Sequence, residues 1–158
     1  VNGMTRLHRF FLPIAMTAIA ACSSASDAGD DSAGDTGASE DKLLAGRVIP
    51  EAEVARILKE AGFEDDIVPT MVCTAKYESS FYERASHKNH DGTTDRGLLQ
   101  VNSIHIGGTS CPKTAEGLFD AKTNAICAYV IYTHQGIRAW YGYTKHKAEC
   151  DAYVLEDQ

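Results

Sequence analysis

The sequence predicts an α+β domain, a mainly helical lobe joined to a small antiparallel β-hairpin lobe with a cleft between them, carried by residues 43–158. Apolar residues recur at helical spacing in separate stretches, while the polar stretch between them carries an Asp91-Gly92 turn signal. Cys73, Cys111, Cys127 and Cys150 all fall in this same region, whose length suffices for one compact core.

Each element follows from local pattern. Pro50 suits a first helical turn, Val54, Ile57, Leu58 and Ala61 recur on one helical face, and Gly62 stops the helix. A second helix begins at Asp66 or Ile67 followed by Pro69, turns Val72, Cys73 and Ala75 inward, and projects Glu78 from its last turn. Residues 87–103 are polar and read as a hairpin whose second strand delivers Asp95. After a Gly107-Gly108 loop, Ala121–His134 form a central helix with Ile126, Cys127 and Val130 on its buried side, ended by Gly136. Trp140, Tyr141 and Tyr143 then make a short aromatic segment.

The N-terminal third differs in kind. Arg6 and Arg9 precede an apolar stretch over residues 10–21 that is too short for a typical membrane span, so residues 1–21 read as an export signal. Ile19-Ala20-Ala21-Cys22 resembles the lipobox of bacterial lipoproteins, in which the cysteine becomes the lipidated first residue and holds the chain at the cell-envelope membrane. Cleavage after Ala18-Ile19-Ala20, leaving a free thiol, is the alternative. Residues 22–42 form an acidic spacer, and those after Cys22 include no aromatic or branched apolar side chain with which to order themselves. Twenty such residues reach roughly 25 Å on average.

Charge and cysteine usage exclude several classes of function. The whole chain carries a formal net charge of −7, and residues 43–158 hold 12 Lys/Arg against 16 Asp/Glu, or −4. Nucleic-acid binding needs a basic stripe, so no such partner is expected. No Cys-x-x-Cys pair or Cys/His ligand set appears, so neither metal nor cofactor is expected, and His87 and His90 read as solvated surface. Four exported cysteines allow three disulfide pairings.

The chemistry sits in two carboxylates with contrasting neighbours. Glu78 follows the apolar run Met71-Val72-Cys73-Thr74-Ala75-Lys76-Tyr77, which places its carboxyl against hydrophobic walls. Asp95 lies among Thr94, Arg96 and Asn102 within reach of water. Glycoside cleavage asks for that contrast, because one acid must keep its proton near neutral pH while its partner stays ionised beside an oxocarbenium-like centre.

These residues resemble the C-type lysozymes from about Val54 to Cys150. The likeness rests on Cys73-x-x-x-x-Glu78-Ser79-x-Phe81, the Asp91-Gly92-Thr93-Thr94-Asp95 block before Gly97-Leu98-Leu99-Gln100-Val101-Asn102-Ser103, and Ala139-Trp140-Tyr141-Gly142-Tyr143 ahead of Cys150. It implies a lysozyme-like fold, Glu78 as general acid and Asp95 as nucleophile or electrostatic stabiliser. It implies that Trp140 packs on the acid, that Gln100 and Asn102 flank the cleft, and that Ala139 forms part of a sugar-binding edge. It further implies the pairings Cys73–Cys150 and Cys111–Cys127, whose loops chain entropy values at roughly 4 and 3 kcal/mol. The substrate implied is peptidoglycan, cut at the β-1,4 bond between N-acetylmuramic acid and N-acetylglucosamine by a monomer. Three extra residues between Trp140 and Cys150, and the missing cysteines of a third bridge, depart from the family and point to an altered lower rim of the cleft. Lytic transglycosylases, which use one Glu, share Glu-Ser-x-Phe and Gly-Leu-Leu-Gln and remain a rival reading. A glycan-binding lipoprotein without activity is the other.

Overall fold

The computed structural model describes residues 46–156. The expected export signal (1–21), the expected spacer (22–42) with Cys22, residues 43–45 and residues 157–158 lie outside the described residues.

The first helix, α1 (Glu51–Ala61), buries Val54, Ala55, Ile57 and Leu58, each such burial contributing about 1.5–3 kcal/mol for the larger side chains. Pro50 precedes it at the cap position, one residue outside the helix rather than first within it, and Gly62 ends it in the left-handed region at φ 111°. Helix α2 (Val68–Ser79) starts with Pro69 in its first turn and buries Met71, Val72, Cys73, Thr74 and Ala75, so that Glu78 emerges from its last turn. The exit from α2 is abrupt, since Ser80 and Phe81 both take positive φ, 52° and 63°, a conformation that costs a side-chain-bearing residue on the order of 1–3 kcal/mol. An edge contact over-determines that turn: the Ile49 N–H donates to the Phe81 carbonyl at 2.9 Å, and Val48 bridges Tyr82.

The small lobe is a three-stranded antiparallel sheet in the order β1 (Ser86–Lys88), β2 (Thr94–Arg96), β3 (Val101–Asn102). The hairpin with Asp91-Gly92 at its turn is present, with His87 opposite Asp95, and a third strand adds to it with Asp95 opposite Asn102. That third strand is two residues long, too short for an alternating pattern to reveal.

Helix α3 (Ala121–Gln135) runs through the core, capped by Asp120, whose side chain accepts the Thr123 N–H at 2.8 Å. Its buried positions are Ala121, Asn124, Ala125, Cys127, Ala128 and Ile131. Of the three residues expected inside, Cys127 is buried, Val130 is half-buried and Ile126 is 42% exposed. The middle of the helix, residues 125–132, is apolar all round, and its small residues let neighbours approach, so the larger Ile126 does not mark the inner face. The inner face instead carries a polar residue. Asn124 is fully buried, accepts the Leu99 N–H at 2.9 Å, and donates to the Arg96 and Leu118 carbonyls at 2.8 Å each. It thereby ties the sheet lobe to the helical core. Gly97 has to be a glycine, because at φ +80° a Cβ would lie 2.1 Å from the Leu118 carbonyl oxygen and 2.3 Å from Asn124 Nδ2.

The chain closes with a 3-10 turn (Ile137–Ala139), α4 (Tyr141–Lys145) and α5 (Lys147–Asp151). Disulfides join Cys73 of α2 to Cys150 of α5 and Cys111 to Cys127 of α3. Among the described residues, no helix is long and apolar enough to cross a membrane, and no group of His, Cys, Asp or Glu could hold a metal ion.

Candidate active site

A cleft of about 260 Å³ opens between the lobes, and Glu78, Asp95, Gln100, Asn102, Ala139 and Trp140 all line it. Residues more than sixty positions apart in sequence converge there because α2, the sheet and the segment entering α4 each deliver one wall.

Glu78 is half-buried at the end of α2. Its Oε1 accepts the Gly142 N–H at 2.7 Å. Burial pushes its carboxyl above the ordinary 4.5, the Gly142 N–H pulls the other way by favouring the ionised form, and the nearby charge of Asp95 adds to the rise. The contact is close enough that position 142 has little room for a side chain: a Cβ would stand 2.9 Å from Glu78 Oε1 and 3.1 Å from the Tyr77 Cβ.

Asp95 has a different environment. Its Oδ1 accepts from Asn102 Nδ2 at 2.7 Å and its Oδ2 from Asn89 Nδ2 at 2.9 Å. Both amides also donate to Thr93 Oγ1, at 2.9 and 3.0 Å, and the Thr93 hydroxyl donates to Asp91 Oδ1 at 2.7 Å. Two oxygens that each accept an N–H suit a carboxylate, which has only acceptors to offer. The Asp-Gly-Thr-Thr-Asp block therefore builds both the hairpin turn and the network that positions Asp95.

Trp140 is 5% exposed, and its indole N–H donates to the Leu99 carbonyl at 2.9 Å. It forms the floor that links the two lobes across the cleft. Gln100 holds an unusual backbone conformation, φ 45°, while its side-chain amide donates to the Ala85 and Gly97 carbonyls at 3.1 and 3.0 Å. Asn102 also caps the following 3-10 turn by accepting the Ile104 N–H at 3.0 Å. Ala139 is exposed on the rim.

Several residues of the cleft carry a part that the sequence alone does not assign to them. Gly142 acts through a backbone N–H, which no residue type advertises. Asn89 and Thr93 could have been found from their place six and two residues before Asp95. His105, Gln135 and Tyr141 line the cleft through tertiary packing alone.

Fold and site together define a helix-rich cleft protein in which a half-buried glutamic acid with a raised pKa and a hydrogen-bonded aspartate line one cleft. Residues 47–156 match the model of the C-type lysozyme/alpha-lactalbumin family, and the chain belongs to that family. Similar proteins include Lysozyme c-1 of Anopheles gambiae, 31% identical over 103 residues that make up 61% of this chain and 74% of that one. Lysozyme C II of Oncorhynchus mykiss is 32% identical over 118 residues, 66% of this chain and 82% of its own. Among solved structures, a lysozyme from Litopenaeus vannamei superposes with a TM-score of 0.51 at 26% identity, covering 66% of this chain and 97% of that one. The chain is a glycosidase of the lysozyme type, and its two disulfides fit an exported protein.

Proposed function

We propose that the domain hydrolyses the β-1,4 bond between N-acetylmuramic acid and N-acetylglucosamine in peptidoglycan, with Glu78 as general acid and Asp95 as its ionised partner. The single observation behind these roles is the contrast within one cleft: burial raises the Glu78 carboxyl, whereas Asp95 receives an amide N–H on each oxygen. Lysozyme is itself the type case of this two-carboxylate scheme, so the chemistry comes with the family.

Glu78 gives its proton to the glycosidic oxygen as the bond to the anomeric carbon breaks. Asp95 attacks that carbon or stabilises its positive charge. Glu78, now a base, takes a proton from the incoming water, and the anomeric configuration is retained. Gln100, Asn102 and Ala139 border the sugar path, and Trp140 supports it from below. Asn102 has a second task, because the amide that faces the cleft also holds Asp95.

The segments outside the described residues complete the proposal. Residues 1–21 direct export, Cys22 carries lipid, residues 22–42 space the domain from the membrane, and residues 43–158 act as a monomer in the cell envelope. Detergent-phase partitioning that persists in Cys22→Ser would remove the lipid from this picture, since stable anchoring takes more than one acyl chain and that cysteine is where they would be attached.

Glu78→Gln tests the catalytic core of the proposal. The amide keeps the shape and can still accept the Gly142 N–H through its oxygen, but it has no acid proton to give. Peptidoglycan clearing is expected to fall by roughly 10²–10⁴ with no loss of thermal stability. Retention of more than about a tenth of wild-type activity would reject Glu78 as the acid.

A further inference from the structure

Tyr141 is 72% exposed although it lines the same cleft as Glu78 and Asp95. The other large apolar side chains of that cleft are closed off, with Trp140, Val101 and Ile131 at 5%, 2% and 8%. A single apolar side chain on a convex surface is ordinary, but a bare aromatic face on a concave wall beside a reactive carboxyl is a contact surface for whatever enters. Trp140, the aromatic singled out by the sequence, is too deeply buried to offer such a face.

Position fixes which part of the substrate Tyr141 meets. Its next neighbour, Gly142, donates its N–H to Glu78 Oε1 at 2.7 Å, so Tyr141 is tethered on the acid's side, whereas Asp95 comes from β2 in the other lobe. The cleft also continues into a second basin of about 200 Å³, which shares His105, Ile131 and Gln135 with the first but neither Glu78 nor Tyr141. Tyr141 thus lines the first basin, with Glu78, and not the second. An acid gives its proton to the leaving oxygen, so the ring beyond that oxygen lies on the acid's side.

We infer that Tyr141 is the platform on which the leaving N-acetylglucosamine ring stacks, an inference that rests on the reading of Glu78 as the acid. The β-linked ring carries its substituents equatorially and presents axial C–H bonds from its faces, and these match the negative π-face of a phenol. The Lys145 ammonium, 5.7 Å from the Tyr141 centroid, steadies the ring by a cation–π contact. Stacking there holds the leaving sugar while its oxygen receives the proton, which makes Tyr141 a positioning residue for one side of the scissile bond.

The test compares two substrates with the same donor sugars, one an N-acetylglucosamine oligosaccharide with a sugar leaving group and the other a β-glycosyl fluoride with none. In Tyr141→Ala the ratio of kcat/KM on the oligosaccharide to kcat/KM on the fluoride is expected to fall roughly tenfold, and Tyr141→Trp should restore it to within about threefold of wild type. An unchanged ratio in Tyr141→Ala, whether both rates drop together or neither moves, overturns the inference. Glu78→Gln run in parallel tests the underlying reading separately: it should lose the oligosaccharide and keep far more of the fluoride reaction, which needs no proton on its leaving group. Equal loss on both substrates in Glu78→Gln would remove the acid and the side assigned to Tyr141 with it.

Discussion

Replacing Gly142 with alanine perturbs the acid through the backbone N–H that holds it, in a way the distances define. The added Cβ would stand 2.9 Å from Glu78 Oε1, 3.2 Å from Glu78 Cδ and 3.1 Å from the Tyr77 Cβ. Tyr77 is held by its own helix, so the carboxyl is the part that yields, by about half an ångström to reach ordinary contact. The 2.7 Å bond from the Gly142 N–H then stretches past about 3.2 Å, the outer range of a good N–H···O bond. A misplacement of about 1 Å can cost on the order of 10² in rate, so half that displacement predicts a fall in kcat of roughly tenfold. The sign of the pH effect follows from the same bond. The Gly142 N–H favours the ionised form and opposes the rise that burial imposes. Weakening it lifts the Glu78 pKa further, so the acid keeps its proton to higher pH and the alkaline limb of the pH–rate profile moves up. Alanine is a better helix former than glycine, so melting should stay near wild type and separate lost rate from lost fold. Initial rates on soluble peptidoglycan from pH 4 to 9 give both numbers. Unchanged kcat, or an alkaline limb that moves down, would refute the clamp.

Asp95→Asn removes a charge and puts an NH₂ opposite one of the two donors, Asn89 on Oδ2 or Asn102 on Oδ1, while its carbonyl oxygen still accepts from the other; kcat should drop by about 10² or more, and near-normal rates would favour a one-carboxylate mechanism. Asn124→Ala strands the Leu99 N–H and the Arg96 and Leu118 carbonyls, a loss of about 3 kcal/mol or more that should lower Tm by roughly 10–20 °C in calorimetry. Glu78→Gln should also change stability with pH. Because the folded carboxyl titrates above its ordinary 4.5, native and unfolded states are equally protonated below that value, and the native state is penalised as pH rises through the folded pKa. The Gln variant should therefore match wild type in the acid range and melt higher at neutral pH, while a difference confined to low pH would contradict the raised pKa.

The parts of this protein legible in sequence are those written in local pattern. Helix α2 announces itself by Pro69 and its apolar run, Glu78 by its place at the end of that run, and the hairpin by Asp91-Gly92. Asp95 and Asn102 are each marked by motif, but that Asn102 donates to Asp95 follows only from the register of the sheet. What stayed hidden depends on tertiary contact. Gly142 reaches Glu78 across 64 residues through a backbone group common to every amino acid but proline. Asn124 looks like a surface residue in an alanine-rich helix, and only the three backbone groups around it explain its burial. Helical spacing puts Ile126 inside with Cys127 and Val130, yet Ile131 and the small residues of α3 occupy the core. The two-residue β3 and the five-residue α5 are too short for periodicity to speak.

The most direct test of the central claim is mass spectrometry of the fragments released when residues 43–158 digest purified peptidoglycan. Hydrolysis by the Glu78 and Asp95 pair predicts soluble muropeptides with reducing N-acetylmuramic acid ends, absent from the Glu78→Gln digest. Anhydro-muramic ends would contradict it in favour of transglycosylation, and a wild-type digest without soluble fragments would leave a domain that only binds glycan.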